Sequence, residues 1–369
     1  MASDSVEELV RANFIVKDRF ALPEGNVEYR VEYAPDSKDK FVALQTALSK
    51  EGLVPRLAGT KEECVLTVAK EAPPPQGRSR IPIVLALLTL VAVVAASLLE
   101  WDEVGSLVPS APGYAVALAY GACVGGVLVA RELAHRLAAR RAGSGANSSL
   151  AVPGIPGVTA VLPTLGFLSV QRSPAVNRDR YFDVMLVGPF VTLAAAVVLE
   201  VAKGIAAYAS SVQLLACTAV NSFVTVCPLN PSILQAGLDR ALALVAPSAS
   251  AGTLLSPVGD AATVAFLLVF VGVLPMAAFD GGHLSSAAWG SRGARAATYL
   301  SVLVLIVLDT PFYWGVAIVV LLLAGRPVQV QVLDEVSALS KNRRLIYLVA
   351  IVIAFMCVPI PQNLATVPL

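Results

Sequence analysis

From residue 81 to the end of the chain, only 28 of 289 side chains carry a formal charge. A water-facing globule carries charge on roughly a quarter of its residues, and 28 charged groups cannot cover a surface of this size. The whole chain is 56% hydrophobic and 14% charged, and residues 1–80 hold 13 of its 26 acids and 12 of its 27 bases. This excludes a soluble enzyme for the larger part, along with disordered, collagen-like and disulfide-scaffold classes. The reading that remains is a polytopic α-helical membrane protein with a small soluble α+β domain at its N-terminus. A net charge of +1 gives no footprint for nucleic acid.

Residues 1–70 read as the soluble unit. Val27, Tyr29, Val31 and Tyr33 alternate as on one face of a strand over 26–33. Residues 40–52 read as a helix with Gly52 just past its end, and 63–69 as a second strand. The unit has no histidine, no nucleophile with a base nearby and no phosphate loop, so a binding or regulatory role is its plain reading. Residues 71–80 (EAPPPQGRSR) form a stiff Pro-rich linker.

Residues 81–99 are uncharged and long enough to span a bilayer. Arg78 and Arg80 before them, with Glu100, Asp102 and Glu103 after, place the N-terminal domain on the cytoplasmic side of the cell membrane. No secretory leader is expected, because the first apolar run begins at Ile81. A second span over 113–130 runs without a helix break into the basic stretch 131–141. Residues 151–170 are apolar but interrupted by Pro153, Gly154, Pro156, Gly157, Pro163 and Gly166, which predicts a re-entrant hairpin rather than a helix. Further spans over 182–208, 212–227, 260–290, 297–308, 312–325 and 345–360 bring the expected count to seven or eight. Topology after residue 228 and oligomeric state stay open. Cys64, Cys123, Cys217, Cys227 and Cys357 show no metal-ligand spacing and read as small buried side chains.

Ionisable groups inside spans are costly and are functional candidates by default. Here they are Arg131, Glu132, His135, Asp183, Asp280 and His283, and the chain has only two histidines. Arg131 and His135 stand at i and i+4 and share a helix face, while Glu132 lies about 100° round and can pair with Arg136. A histidine at 131 would complete the H-E-x-x-H zinc motif, in which two imidazoles one turn apart bind the metal and the Glu activates water. By itself, E-x-x-H has a plainer reading as a helix-end ion pair beside a lone His. The run Asp280-Gly281-Gly282-His283 in a second apolar segment reads either as a helix break or as a ligand whose glycines permit close approach. The stretch Arg172-Ser173-Pro174, Asn177-Arg178-Asp179, Tyr181-Phe182-Asp183 and Gly188-Pro189 reads on its own as a basic loop entering a kinked span.

In order and spacing, these pieces resemble the site-2 protease family of intramembrane zinc metalloproteases, in its archaeal and plastid branch without a PDZ insert. The resemblance covers roughly residues 110–295, and the 172–189 stretch is its most specific part. It implies Glu132 as the catalytic base and His135 and Asp280 as zinc ligands. It also implies transmembrane segments of other proteins, within the lipid bilayer, as substrates. Two positions depart from the pattern. The family's first zinc histidine falls on Arg131, which has no lone pair to offer and repels the ion. The asparagine of its N-x-x-P motif falls on Gly272. Two ligands remain where a catalytic zinc takes three.

Three functions follow. One is a pseudoprotease that binds transmembrane segments without cutting them, with Arg131 pairing Asp280 or Glu132. Another is an active metalloprotease whose rearranged site uses His283 beside His135 and Asp280. The third is a transporter-like proton relay through Glu132, Asp280 and His283. An active enzyme would hydrolyse a peptide bond of a locally unwound substrate, paired as an added strand on the 151–170 hairpin.

Overall fold

The structure is a computed structural model that describes residues 2–21, 26–70, 80–107, 112–143, 148–155, 162–171, 173–205, 218–219, 225–226, 231–245, 257–308, 311–324 and 330–359. Arg172, Cys217, Cys227 and residues 71–79 of the linker lie outside these. The N-terminal unit runs α1 (Ala2–Asn13), β1 (Val16–Ala21), β2 (Val27–Val31), α2 (Ser37–Ser49), β3 (Leu53–Gly59) and β4 (Cys64–Lys70). The strands form one antiparallel sheet in the order β1-β2-β4-β3. Alternation explains the packing: Tyr29, Leu57 and Leu66 point to one face, where they are fully buried with Phe41, Leu44 and Leu48 of α2. The predicted strands over 26–33 and 63–69 and the helix over 40–52 are therefore present, the helix beginning three residues earlier at Ser37. Val176 and Leu333 also belong to this domain's core, although they come from far along the chain.

The membrane part begins with α3 (Ile81–Leu107) and α4 (Gly113–Arg141), which pack together. A hairpin follows, β5 (Ser148–Pro153) with β6 (Thr164–Val170), as the broken apolar stretch predicts. Next come α5 (Arg178–Ile205), the two-residue strands β7 (Thr218–Ala219) and β8 (Thr225–Val226), α6 (Ile233–Val245), α7 (Pro257–Val273), α8 (Asp280–Val307), α9 (Pro311–Ala324) and α10 (Lys341–Met356).

The expectation of seven or eight spans is not met. Among the described residues three helices are long and apolar enough to cross a membrane: Ile81–Asp102, Gly113–Arg141 and Arg178–Lys203. The stretch 260–290 is two helices, because Pro275 lies in a break between α7 and α8. α7 has 17 residues, about 26 Å at 1.5 Å per residue, short of a hydrocarbon core of roughly 30 Å. It is apolar all round because α4, α5, α8, α10 and β6 surround it. α8 has non-helical backbone at Gly290 (φ 75°, ψ 175°), so the segments 260–290 and 297–308 are divided differently from their apolar runs. α9 and α10 have 14 and 16 residues. The described parts of 212–227 are β7 and β8, which pair as antiparallel strands.

Candidate functional site

α4 carries its buried residues as a single stripe, Val116, Tyr120, Val124, Val127, Arg131, His135 and Ala139, spaced three or four apart. Such a stripe faces the bundle, so Arg131 and His135 point inward together while Glu132 sits at its edge, with a side chain 20% exposed. Glu132 accepts a hydrogen bond from Arg136 Nε at 2.6 Å, the i,i+4 pair expected from the spacing.

Asp280 reaches the same place from the opposite direction. After α7 ends, 274–279 form a tight turn in which Ala278 takes a left-handed conformation (φ 68°), uncommon for a residue with a Cβ. A Cβ on Gly281 would stand 2.0 Å from the Leu274 carbonyl oxygen, and one on Gly282 would stand 2.1 Å from that of Met276. The paired glycines therefore let α8 begin directly against the preceding turn, which delivers Asp280 fully buried at its first residue.

The hairpin closes the site between these helices. Ser149 on β5 and Ser169 on β6 are directly opposed in the antiparallel register, so both hydroxyls stand on one face. Arg131 Nη1 donates to Ser149 Oγ at 2.6 Å, and Ser149 donates in turn to Glu132 Oε2 at 2.9 Å. Arg131 Nη2 donates to Asp280 Oδ2, and Ser169 Oγ donates to Asp280 Oδ1. Phe167 lies under the guanidinium, its ring centroid 3.5 Å from Cζ. The outer edge of β6 is held by the turn before α8: Ser169 N–H donates to Ala278 O at 2.9 Å. Gly188 of α5 packs against the pair, since a Cβ there would stand 3.1 Å from Arg131 Nη2 and 3.2 Å from Asp280 Oδ2.

His283 faces the same strand one helical turn beyond Asp280. Its Nε2 lies 2.9 Å from the Ser169 carbonyl. A carbonyl has no proton, so Nε2 carries the hydrogen and Nδ1 accepts from the Tyr181 hydroxyl. Glu132, Ser149, Arg131, Asp280, Ser169, His283 and Tyr181 thus form one connected polar chain. With Arg136 bound to Glu132, two arginines face its two acids and the formal charges cancel. His135 is fully buried, near Arg131, Asp280 and the Val184 backbone, and among the described residues neither ring nitrogen has a hydrogen-bond partner of good geometry.

A zinc ion does not fit this arrangement. Both Asp280 oxygens are engaged, both His283 nitrogens are engaged, and the guanidinium on Asp280 brings positive charge where the metal would have to enter. Among the described residues no group of three or more His, Cys, Asp or Glu is arranged to hold a metal. Gly272 stands near the end of α7, where a Cβ would meet only Pro189 Cγ at 3.7 Å.

Asp183 lies outside the site: its side chain is 50% exposed and pairs with Arg343 of α10 at 2.7 Å through both carboxylate oxygens. Ser149, Ser169, Phe167 and Tyr181 are the partners that residue spacing does not reveal. No family model, curated protein or solved structure matches the chain.

Proposed function

We propose that the chain is a membrane-embedded pseudoprotease on a site-2-protease-like frame, which binds transmembrane segments of partner proteins without cleaving them. The observation that carries this reading is the buried Arg131–Asp280 ion pair. The guanidinium supplies, at the carboxylate, the positive charge that zinc supplies in the family. Glu132 is held by Arg136 and Ser149 and acts as a structural acid rather than as the base of a hydrolysis. An extended hairpin among membrane helices supports partner binding, since a locally unwound segment pairs with a strand edge through its backbone. The outer edge of β6 is taken by the turn before α8, and β5 is packed by α3, whose Thr89 hydroxyl lies 3.5 Å from Ala151 O, so a partner strand pairs with β5 by displacing α3. The basic ends at Arg78, Arg80, Arg140 and Arg141 support a cytoplasmic N-terminal domain in a cell membrane.

The test is zinc per chain in detergent-purified protein, measured beside an Arg131→His variant. The expected result is no zinc in the parent and about one per chain in the variant. One zinc in the parent overturns the pseudoprotease reading and favours an active site that uses His283. No zinc in either protein overturns the placement of His135 and Asp280 as family ligand positions.

A further inference from the structure

Residues 331–338, between α9 and α10, run as an extended strap between the soluble domain and the membrane part. On one side the strap extends the sheet beyond β3. Leu57 N–H donates to Leu333 O at 2.7 Å, and Glu335 N–H donates to Leu57 O at 2.9 Å, a parallel bridge. On the other side Leu333 N–H donates to Ala175 O at 2.8 Å, Asp334 N–H to Val176 O at 3.1 Å, and Ala175 N–H to Gln331 O at 3.0 Å. Leu333 and Val176 fill the edge of the soluble domain's core. Arg56 pairs with Glu335 at 2.5 Å, and Tyr33 hydrogen-bonds Ser337 at 3.2 Å.

Two contacts carry this docking to the buried site. The Gln171 side chain brackets the Gln331 backbone, Nε2 donating to its carbonyl at 2.5 Å and Oε1 accepting from its N–H at 2.9 Å. Gln171 is two residues beyond Ser169, which holds Asp280 and His283. Asp179 gathers Lys38 of α2 at 2.7 Å, Arg343 of α10 at 2.9 Å and the Ser340 N–H at 3.0 Å. Asp179 is two residues before Tyr181, which holds His283.

We propose that the N-terminal domain is a clamp on the buried site: docked through the 331–338 strap, it fixes the chain on both sides of the 171–179 connection, and undocking releases Ser169 and Tyr181. Coupling of this kind needs a contiguous physical connection with two arrangements, and the strap supplies one through main-chain bonds.

Hydrogen exchange with mass spectrometry on the full chain in detergent tests the clamp, comparing the parent with Leu333→Glu and Arg56→Glu. Leu333→Glu puts a charge into the domain's core edge, and Arg56→Glu sets two acids against each other at a half-exposed pair. The expected result is exchange about tenfold faster or more in peptides covering 53–59 and 331–338, together with faster exchange at 164–170, while α2 stays protected. Loosening of 53–59 with 164–170 unchanged overturns the clamp, because the domain then docks without bearing on the site. Unchanged exchange at 53–59 in both variants overturns the docking surface. Should Leu333→Glu lose protection throughout the chain, Arg56→Glu decides by the same peptides, and restoring Glu335→Arg beside it must return the parent pattern.

Discussion

Breaking the Arg131–Asp280 pair one side at a time and then on both sides gives the sharpest energetic test of the site. The two side chains are 3% and 0% exposed, so solvent screens them little. Arg131→Met leaves the Asp280 carboxylate with Ser169 as its remaining donor, and removing one partner of a buried pair costs about 3–5 kcal/mol. Loss of the guanidinium's stacking on Phe167 adds about 0.5–2 kcal/mol. Asp280→Leu leaves the guanidinium with Ser149 as its hydrogen-bond partner among the described residues, again at about 3–5 kcal/mol. Independent losses would sum to about 6.5–12 kcal/mol, comparable to the whole stability of a typical domain. The ion pair predicts otherwise. With Arg131→Met and Asp280→Leu together no buried charge is left uncompensated, and the double variant should lie within about 2 kcal/mol of the parent. Reversible unfolding in detergent, followed through Trp101, Trp289 and Trp314, measures all four proteins. Additive losses in the double variant, or single variants within about 1 kcal/mol of the parent, refute the reasoning.

Three further outcomes are expected. Gly281→Ala brings a methyl to 2.0 Å from the Leu274 carbonyl oxygen, so the same assay should show a loss at or above the roughly 3 kcal/mol upper range of overpacking. Ser169→Ala removes the donor to Asp280 Oδ1; it should cost about 1–3 kcal/mol for an unsatisfied buried acceptor, and much less in the Asp280→Leu background. Burial, with a smaller contribution from Asp334, pushes the Cys64 thiol up to about 11. Alkylation at pH 8, read on the Cys64 peptide, should then be about a hundredfold slower than in unfolded protein. Because folding raises this pKa, its contribution favours the folded state below the ordinary thiol range and declines as pH climbs toward 11; equal alkylation rates would contradict the burial.

Much of the site's geometry was legible in residue spacing. An i,i+4 separation put Arg131 and His135 on one stripe and paired Glu132 with Arg136, and the prolines and glycines of 151–170 ruled out a helix where the hairpin stands. The span count was not legible, because hydropathy registers how apolar a residue is and not what surrounds it. α7 is as apolar as a lipid-facing helix, yet it is enclosed by protein. Ser149 and Ser169 gave no signal, since their meeting depends on a strand register set by the whole hairpin, and a slip of one residue would turn either hydroxyl to the opposite face. Asp183 misled for the complementary reason: its partner Arg343 lies 160 residues away, and no local pattern links them. The strap went unread although the sequence alternates from Val328 to Val332, because the strand it joins, β3, is more than 270 residues away and no local pattern links them.

The buried ion pair also bears on how the chain is made. Arg131 and Asp280 are separated by 149 residues. At a synthesis rate of about 5–20 residues per second, α4 exists for roughly 7–30 s before its counter-ion has been polymerised. Over that interval a guanidinium at a helix centre would carry a penalty of about 2.5–3.5 kcal/mol on insertion scales. Arg131 stands near the basic end of α4, with Arg136, Arg140 and Arg141 after it, and a guanidinium near a helix end can snorkel toward an interface at less than the central penalty. The ion pair can form only once the start of α8 has been made, so this contact is ordered in time as well as in space.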